Sequence, residues 1–332
     1  MKFAFSTPLA GTAALLALLI TGCGGTPSQP AAEPARLVLD FAPNAVHSGI
    51  FLTHQRGWDR AAGVDLQIRS PASSSDSLKL LLSGATDFAL LDIHDLAIAD
   101  QSRRGQLVAL MAIVERPLAA LLADPSIHRP SDLQGKRAGV TGLPSDSAVL
   151  NSIVAGDGGN PALVEKTTIG FQAVAAMVSG RVSAATAFWN VEGEALRARR
   201  PSTRQFRVED YGAPAYPELL LVTRRRTLTS DPEMVDATTV ALKRGYEATI
   251  AAPTAAAAAL VAGAPGVNLA NAKRELSAVL PAFKKPGEEY GSLDRATLEA
   301  WAIWEQRFGI VRRRPVVDEL FSGPLVIGNS AH

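Results

Sequence analysis

The chain has 332 residues, a formal net charge of +1 and a single cysteine. This length allows two domains, because a typical domain takes about 100–200 residues. The small net charge does not favour a nucleic-acid partner. A single cysteine excludes an intrachain disulfide, a cysteine-rich metal site and, if it is lipidated, a cysteine nucleophile in the mature protein.

The N-terminus has the pattern of an exported lipoprotein. Lys2 is followed by an apolar stretch and then by Ile-Thr-Gly-Cys, which ends at Cys23. The apolar stretch is shorter than the roughly 20 residues of a membrane-spanning helix. We therefore predict a signal peptide over residues 1–22, lipidation of Cys23, and a flexible tether rich in Gly, Ser and Pro over residues 23–35. An ordinary signal peptide with a coincidental cysteine is the alternative.

The first predicted strand leads directly into a polar loop and then a helix. The apolar run Leu37–Leu39 predicts a buried strand, and a helix is predicted to begin near His47. Asp40, Phe41 and Asn44 lie in the loop between them. Ligands of α/β proteins bind where the carboxyl ends of strands meet the N-termini of helices, so this loop is a candidate binding segment.

Strand and helix patterns alternate along the rest of the chain and predict an α/β protein. Mainly parallel sheets are expected, with helices on both faces. The chain is predicted to build one lobe, enter a second lobe near residue 116 and return near residue 222. The first lobe thus takes residues 36–115 and 222–328, and the second takes residues 116–221. Two crossings would form a hinge, with the ligand between the lobes.

Four segments resemble the solute-binding proteins for thiamine-precursor pyrimidines. They read LDFAPNAVHSGIF, SGATDFALLD, FWNVEGEAL and DYGAPAYPELLLVT, in that order behind the lipoprotein motif. The resemblance implies a type II periplasmic-binding-protein fold and a partner permease of an ABC importer. Relatives carry formylaminopyrimidine, riboflavin or, more distantly, taurine, alkanesulfonates and nitrate. Asp92 and His94 depart from the family pattern, which bears on the ligand more than on the fold.

The acids at predicted strand ends are the first candidates for ligand binding. Asp40 and Glu192 are expected to lie on opposite walls of the cleft and to accept hydrogen bonds from the ligand. Asp92 and Glu218 would add negative charge. This balance favours a neutral or cationic, donor-rich ligand over a sulfonate or nitrate, which would need Arg, Lys or helix N-termini. Three of these acids have structural alternatives: Asp40 as a turn cap, Glu192 as a favourable acid in a first helical turn, and Glu218 as a brace for the hinge.

Aromatic and amide side chains complete the predicted site. Phe41 and Trp189 are candidates to stack on a flat ring, although either could belong to the core. Asn44 could instead hold its turn, and His47 could cap the helix. Asn190 is included because it lies at the exit of a predicted strand. Tyr216 is included because it lies near the predicted return crossing.

These observations predict a lipid-anchored capture protein at the cell envelope. It would be a monomer that binds a small heteroaromatic or amine-bearing molecule and delivers it to an ABC permease. No catalytic residue, metal site or cofactor is predicted, and no nucleic acid is expected. The alternatives are a binding protein for taurine, sulfonate or nitrate-type anions, an enzyme on the same fold such as a pyrimidine synthase or a small-acid dehydratase, and a sensory module.

Overall fold

The computed structural model describes residues 1–4, 32–73, 75–321 and 326–327. Most of the predicted signal peptide, Cys23 and most of the predicted tether lie outside these residues, and all three stay predictions. Within the described part of the chain, no helix is both long and apolar enough to cross a membrane.

Two five-stranded sheets form the framework. The first has the order β2-β1-β3-β10-β4 and the second the order β7-β6-β8-β5-β9; β11 and β12 pair separately. The strands are β1 (Glu33–Val38), β2 (Val64–Arg69), β3 (Phe88–Asp92), β4 (Leu107–Val114), β5 (Ala119–Ala123), β6 (Arg137–Val140), β7 (Glu165–Thr168), β8 (Ala184–Phe188), β9 (Arg204–Arg207), β10 (Leu219–Arg224), β11 (Leu293–Asp294) and β12 (Val326–Ile327).

Each five-stranded sheet contains one reversed strand, placed next to the end of its order. β10 runs antiparallel to β3 and β4, and β5 runs antiparallel to β8 and β9. These are the first strands that the chain forms after passing from one sheet to the other. Because they are reversed, their first residues lie at the same edge as the last residues of the parallel strands.

Helices surround the two sheets. They are α1 (Ser48–Gln55), α2 (Trp58–Ala61), α3 (Asp76–Ser83), α4 (Ile93–Ser102), α5 (Pro144–Gly156), α6 (Ala173–Val178), α7 (Glu192–Arg199), α8 (Arg225–Ser230), α9 (Pro232–Ala251), α10 (Pro253–Gly263), α11 (Leu269–Phe283), α12 (Arg295–Arg307) and α13 (Val317–Leu320). All eight residues of β4 are buried, as expected for a continuous apolar strand covered on both faces.

Close packing of α1 against α9 fixes the loop after β1. A Cβ on Gly49 would lie 2.5 Å from the ring of Tyr246, and one on Gly245 would lie 2.4 Å from the Gly49 carbonyl oxygen. Only glycine permits this approach of the two helices. The Tyr246 hydroxyl then donates to the Val46 carbonyl oxygen at 3.1 Å, which anchors the end of the loop.

The architecture consists of two mixed α/β sheets with flanking helices, as the sequence predicts. The chain leaves the first sheet after Val114 and enters the second at Ala119. It re-enters the first sheet at Leu219, three residues before the boundary predicted from sequence. The predicted lobe bounds stay a prediction.

Candidate ligand-binding site

A cavity of about 820 Å³, including the part open to solvent, lies where the two sheets face each other. Side chains from both sheets line it: Asp40, Phe41, Ser77, Leu90, Leu91, Asp92, His94, Asp95, Ala119, Ala120, Thr141, Leu143, Ser145, Asp146, Val149, Phe171, Thr186, Ala187, Phe188, Glu192, Glu218 and Leu219. The wall collects the carboxyl ends of β1, β3, β6, β7 and β8 together with the first residues of β5 and β10. The reversed strands thus contribute to the site because of their direction.

Five of the ten residues predicted to bind ligand lie on this wall, namely Asp40, Phe41, Asp92, Glu192 and Glu218. The other five, Asn44, His47, Trp189, Asn190 and Tyr216, are buried beside the cavity and do not line it. Half of the predicted residues therefore face the cavity, and the other half are buried behind them.

Asn44 and His47 hold the loop that carries Asp40. The Asn44 side chain caps the short 3₁₀ helix Ala45–His47 by accepting from the Val46 N–H at 2.9 Å. His47 Nδ1 accepts from the Asn44 N–H at 3.1 Å, so its Nε2 carries the proton. That Nε2 donates to Asp40 Oδ1 at 2.8 Å. His47 thus orients the Asp40 carboxylate instead of reaching the cavity itself.

Trp189 and Tyr216 belong to the packing around the site. The Trp189 indole N–H donates to the Pro117 carbonyl oxygen at 3.0 Å, and the Arg207 guanidinium covers its ring at 3.9 Å. Tyr216 is fully buried and meets the His94 ring edge-to-face, with centroids 4.9 Å apart. Asn190 is also fully buried, and its side-chain amide has no hydrogen-bond partner within the described part of the chain.

Glu192 faces the cavity from the start of α7. Burial raises the pKa of its carboxyl to about 7, and the nearby charges of Glu275 and Asp40 act in the same direction. Its Oε2 accepts a hydrogen bond from the Phe188 N–H at 3.3 Å, which opposes the shift. Near neutral pH, Glu192 is therefore present in both its acid and its carboxylate form.

Asp92, His94 and Glu218 form a polar cluster on the first-sheet side. Asp92 caps α4 by accepting from the His94 N–H at 2.7 Å. Leu219 pairs with Asp92 in the antiparallel register, which places Glu218 beside them. Potential metal-ligand atoms of the three residues all lie within 4.8 Å of one another.

The protonation of this cluster is set by its members. Burial raises the pKa of Asp92 well above its ordinary value and also raises that of Glu218; the positive charge of His94 opposes both shifts. Burial would lower the pKa of His94, but the charges of Glu305 and Asp92 outweigh it and raise the pKa to about 10. His94 is therefore an imidazolium, and its positive charge offsets negative charge on the acids around it.

Several wall residues were missed by the sequence reasoning. Asp95 and Asp146 add two acids whose pKa burial raises, and Phe171 and Phe188 add two rings. Phe171 meets Phe41 edge-to-face with centroids 4.3 Å apart. Asp95 and Asp146 lie in the first turns of α4 and α5, Phe171 follows β7 and Phe188 ends β8, so the strand-end rule that selected Asp40 could have found them.

Comparison with known proteins agrees with the fold. The pattern of the family described as NMT1/THI5 like matches residues 44–256, more than half of the chain. A formylaminopyrimidine-binding protein of Halalkalibacterium halodurans is 28% identical over 299 residues, which cover 88% of this chain and 90% of the relative.

Solved structures extend the comparison of the fold. The alkanesulfonate-binding protein from Xanthomonas axonopodis pv. citri, bound to MOPS, superposes with a TM-score of 0.68 at 19% identity, covering 88% of this chain and 99% of that protein. A Candida albicans protein, described as having the generic periplasmic binding protein fold, gives a TM-score of 0.64 at 14% identity, covering 90% and 98% of the two chains.

Proposed function

The chain belongs to the NMT1/THI5-like family, and from this premise we propose that it is the solute-binding protein of an ABC importer for a thiamine-precursor pyrimidine or a similar amine-bearing ring. The named relative from Halalkalibacterium halodurans binds formylaminopyrimidine and aligns along most of both chains, which supports this ligand class.

The composition of the cavity wall is the observation that carries the proposal. Six carboxyl side chains line the cavity: Asp40, Asp92, Asp95, Asp146, Glu192 and Glu218. No Lys or Arg lines it among the residues that the structure describes. The carbonyl and carboxylate oxygens of such a wall accept hydrogen bonds from amino groups, and among the described residues the wall gives a sulfonate or nitrate only His94 as a cationic partner.

Three phenylalanines give the wall its aromatic surfaces. Phe41, Phe171 and Phe188 all line the cavity and come from both sheets. Offset stacking or edge-to-face contact of a heteroaromatic ring with such residues contributes about 0.5–1.5 kcal/mol per pair beyond the burial of its surface. A flat ring with amino substituents can pair with the carboxyl groups and also pack against the phenylalanine rings. A small aliphatic sulfonate does not do both.

Capture would proceed by closure of the two sheets around the ligand. A ligand that contacts both walls binds the closed arrangement more tightly and shifts the population towards it. We infer that a permease then recognises the closed form, and that Cys23 holds the protein on a membrane through its lipid. A Cys23→Ser variant that still fractionates with membranes would contradict the anchor.

Calorimetry with formylaminopyrimidine and taurine tests the ligand class. We expect formylaminopyrimidine to bind at one site per chain and taurine at least about 100-fold more weakly, a difference of about 2.7 kcal/mol. The matched variant Glu192→Ala should weaken formylaminopyrimidine binding, whereas Glu194→Ala, on the same helix but off the cavity wall, should not.

Tighter binding of taurine than of formylaminopyrimidine would contradict the proposed ligand class. Mass spectrometry of the released ligand addresses the enzyme alternative, because a binding protein returns the compound unmodified. A chemically altered product that accumulates over many turnovers would contradict the proposed function.

A further inference from the structure

We propose that Asp92, His94 and Glu218 form a binding site for one divalent transition-metal cation of the zinc class. Asp92 and His94 come from the junction of β3 and α4, and Glu218 comes from the residue before β10. All three line the cavity, and one potential ligand atom from each lies within 4.8 Å of the other two. This inference does not depend on the identity of the organic ligand.

Two buried atoms of the cluster have no partner in the described part of the chain. These are His94 Nε2 and Glu218 Oε1. His94 is 1% exposed and Glu218 is 0% exposed, so water in bulk does not reach them. Buried polar atoms are nearly always satisfied by a hydrogen bond or an ion, and a cation bound to both atoms would satisfy them once Nε2 has released its proton.

The donor set suits such a cation. One imidazole nitrogen and two carboxylates are common zinc ligands, with bonds of about 2.0–2.2 Å. Ligand atoms at that distance lie at most about 4.4 Å apart, so small side-chain rotations would bring these three into range. Three protein ligands leave a fourth position open towards the cavity, the arrangement of a site that can also receive a small molecule.

The surroundings already orient two of the three ligands. His94 Nδ1 lies in hydrogen-bond contact with the Glu305 carboxylate, which directs Nε2 away from it. A carboxylate behind a ligating histidine fixes the ring and raises its basicity. Binding of the cation would release the Nε2 proton of His94, because a ligating imidazole is neutral. Glu218 Oε2 accepts from the Leu118 and Ala119 N–H groups, which leaves Oε1 for the cation.

A second cluster provides an internal comparison. His54, Asp59 and Asp65 also bring potential ligand atoms within 4.8 Å of one another. There, however, His54 Nδ1 is hydrogen-bonded to Asp59 at 2.7 Å, and the Arg60 guanidinium lies 3.5 Å from Asp65. The charge of Arg60 cannot be removed by deprotonation and opposes a cation there, whereas His94 becomes neutral when it releases its proton and binds one.

Titration calorimetry of the metal-stripped, tag-free full-length protein with zinc chloride tests the site. We expect one zinc ion per chain. Glu218→Gln and Asp92→Asn should each weaken zinc binding at least about tenfold, while the control His54→Gln should leave it unchanged. Glu305→Gln should weaken it by about 10–100-fold, as expected for a group that supports a ligating histidine.

These variants are chosen to preserve the fold. In Glu218→Gln the side-chain carbonyl oxygen can still accept from the Leu118 and Ala119 N–H groups. In Asp92→Asn the side-chain amide oxygen can still cap α4, so the melting temperatures without metal should stay near that of the parent. Failure of the parent protein to bind zinc stoichiometrically would overturn the proposal. So would a loss of binding in His54→Gln that Glu218→Gln does not show.

Discussion

Glu192 offers a ligand two different hydrogen-bonding patterns, because burial brings the pKa of its carboxyl to about 7. The protonated acid donates through its hydroxyl and accepts through its carbonyl oxygen, whereas the carboxylate only accepts. An aminopyrimidine presents an acceptor ring nitrogen next to a donor amino group. The protonated carboxyl therefore complements that edge, and one proton is shared between the Glu192 carboxyl and the ring nitrogen.

We expect formylaminopyrimidine binding to weaken above about pH 7. The folded protein binds this proton more tightly than the unfolded chain, whose Glu ionises near 4.5, so the acid form is lost only as pH rises through about 7. Once pH exceeds the pKa of both partners, affinity should fall about tenfold per unit. Calorimetry between about pH 6 and pH 9 measures this slope.

Glu192→Gln separates this mechanism from simple charge attraction. The glutamine amide presents the same donor and acceptor without a titrating proton, so its binding should be nearly independent of pH over this range. The ligand-free variant should also lose the decline in unfolding free energy that ionisation of Glu192 causes between about pH 4.5 and pH 7. Strong loss of binding at every pH would instead indicate a cationic ligand.

Sequence reasoning found the acids of the site better than it found their supports. Asp40 and Glu192 follow predicted strands, and the strand-end rule places such residues at a common edge. The rule does not say which residues of a loop point inward. His47 was grouped with Asp40, yet a tight 3₁₀ turn directs its ring beneath the carboxylate. The contact between His94 and Glu305 joins residues 211 positions apart, which no local pattern indicates.

At the scale of elements, Glu218 ties the two chain crossings together. It lies at the return to the first sheet, and its Oε2 accepts from N–H groups of Leu118 and Ala119 in the outward crossing. The sequence reasoning weighed a hinge brace against a ligand contact for this residue. The structure places the side chain where both are possible, since the same carboxyl also lines the cavity.

We expect Glu218→Ala to destabilise the metal-free protein by about 2–6 kcal/mol, because it leaves two buried N–H groups without their acceptor. Each such loss costs about 1–3 kcal/mol. Glu218→Gln keeps an oxygen in that position and should stay within about 1 kcal/mol of the parent. Urea unfolding measures both values, and equal destabilisation by the two substitutions would argue against the brace.

The direction of β10 could not be predicted from its residue pattern. Its apolar sequence predicts a buried strand, and the structure has one. A run that is apolar throughout is buried in parallel and antiparallel arrangements alike, so the residues do not specify its direction. The reversal follows from the path of the chain, which arrives from the second sheet at the cavity edge. The same applies to β5.

At the scale of the whole molecule, aromatic contact joins the two sheets across the cavity. Phe41 follows β1 of the first sheet, and Phe171 follows β7 of the second. Their edge-to-face arrangement, with an interplanar angle of 78°, is of the kind worth about 0.5–1.5 kcal/mol. The rings also line the cavity, so this contact between the sheets lies where the proposed ligand would sit.

We expect Phe171→Leu to favour the open arrangement of the ligand-free protein. Leucine keeps an apolar side chain but removes the ring edge, and a loss of about 1 kcal/mol changes the ratio of closed to open molecules about fivefold. The radius of gyration from small-angle X-ray scattering should therefore be larger than that of the parent protein. Saturating formylaminopyrimidine should restore the compact value, because the ligand adds contacts to both walls.

Phe188→Leu is the matched control for this experiment. Phe188 lines the same cavity but makes no aromatic pair among the described residues, so its replacement should weaken ligand binding without enlarging the ligand-free protein. If the two variants expand equally, loss of apolar surface would explain the opening. If neither expands, the Phe41–Phe171 contact does not govern closure.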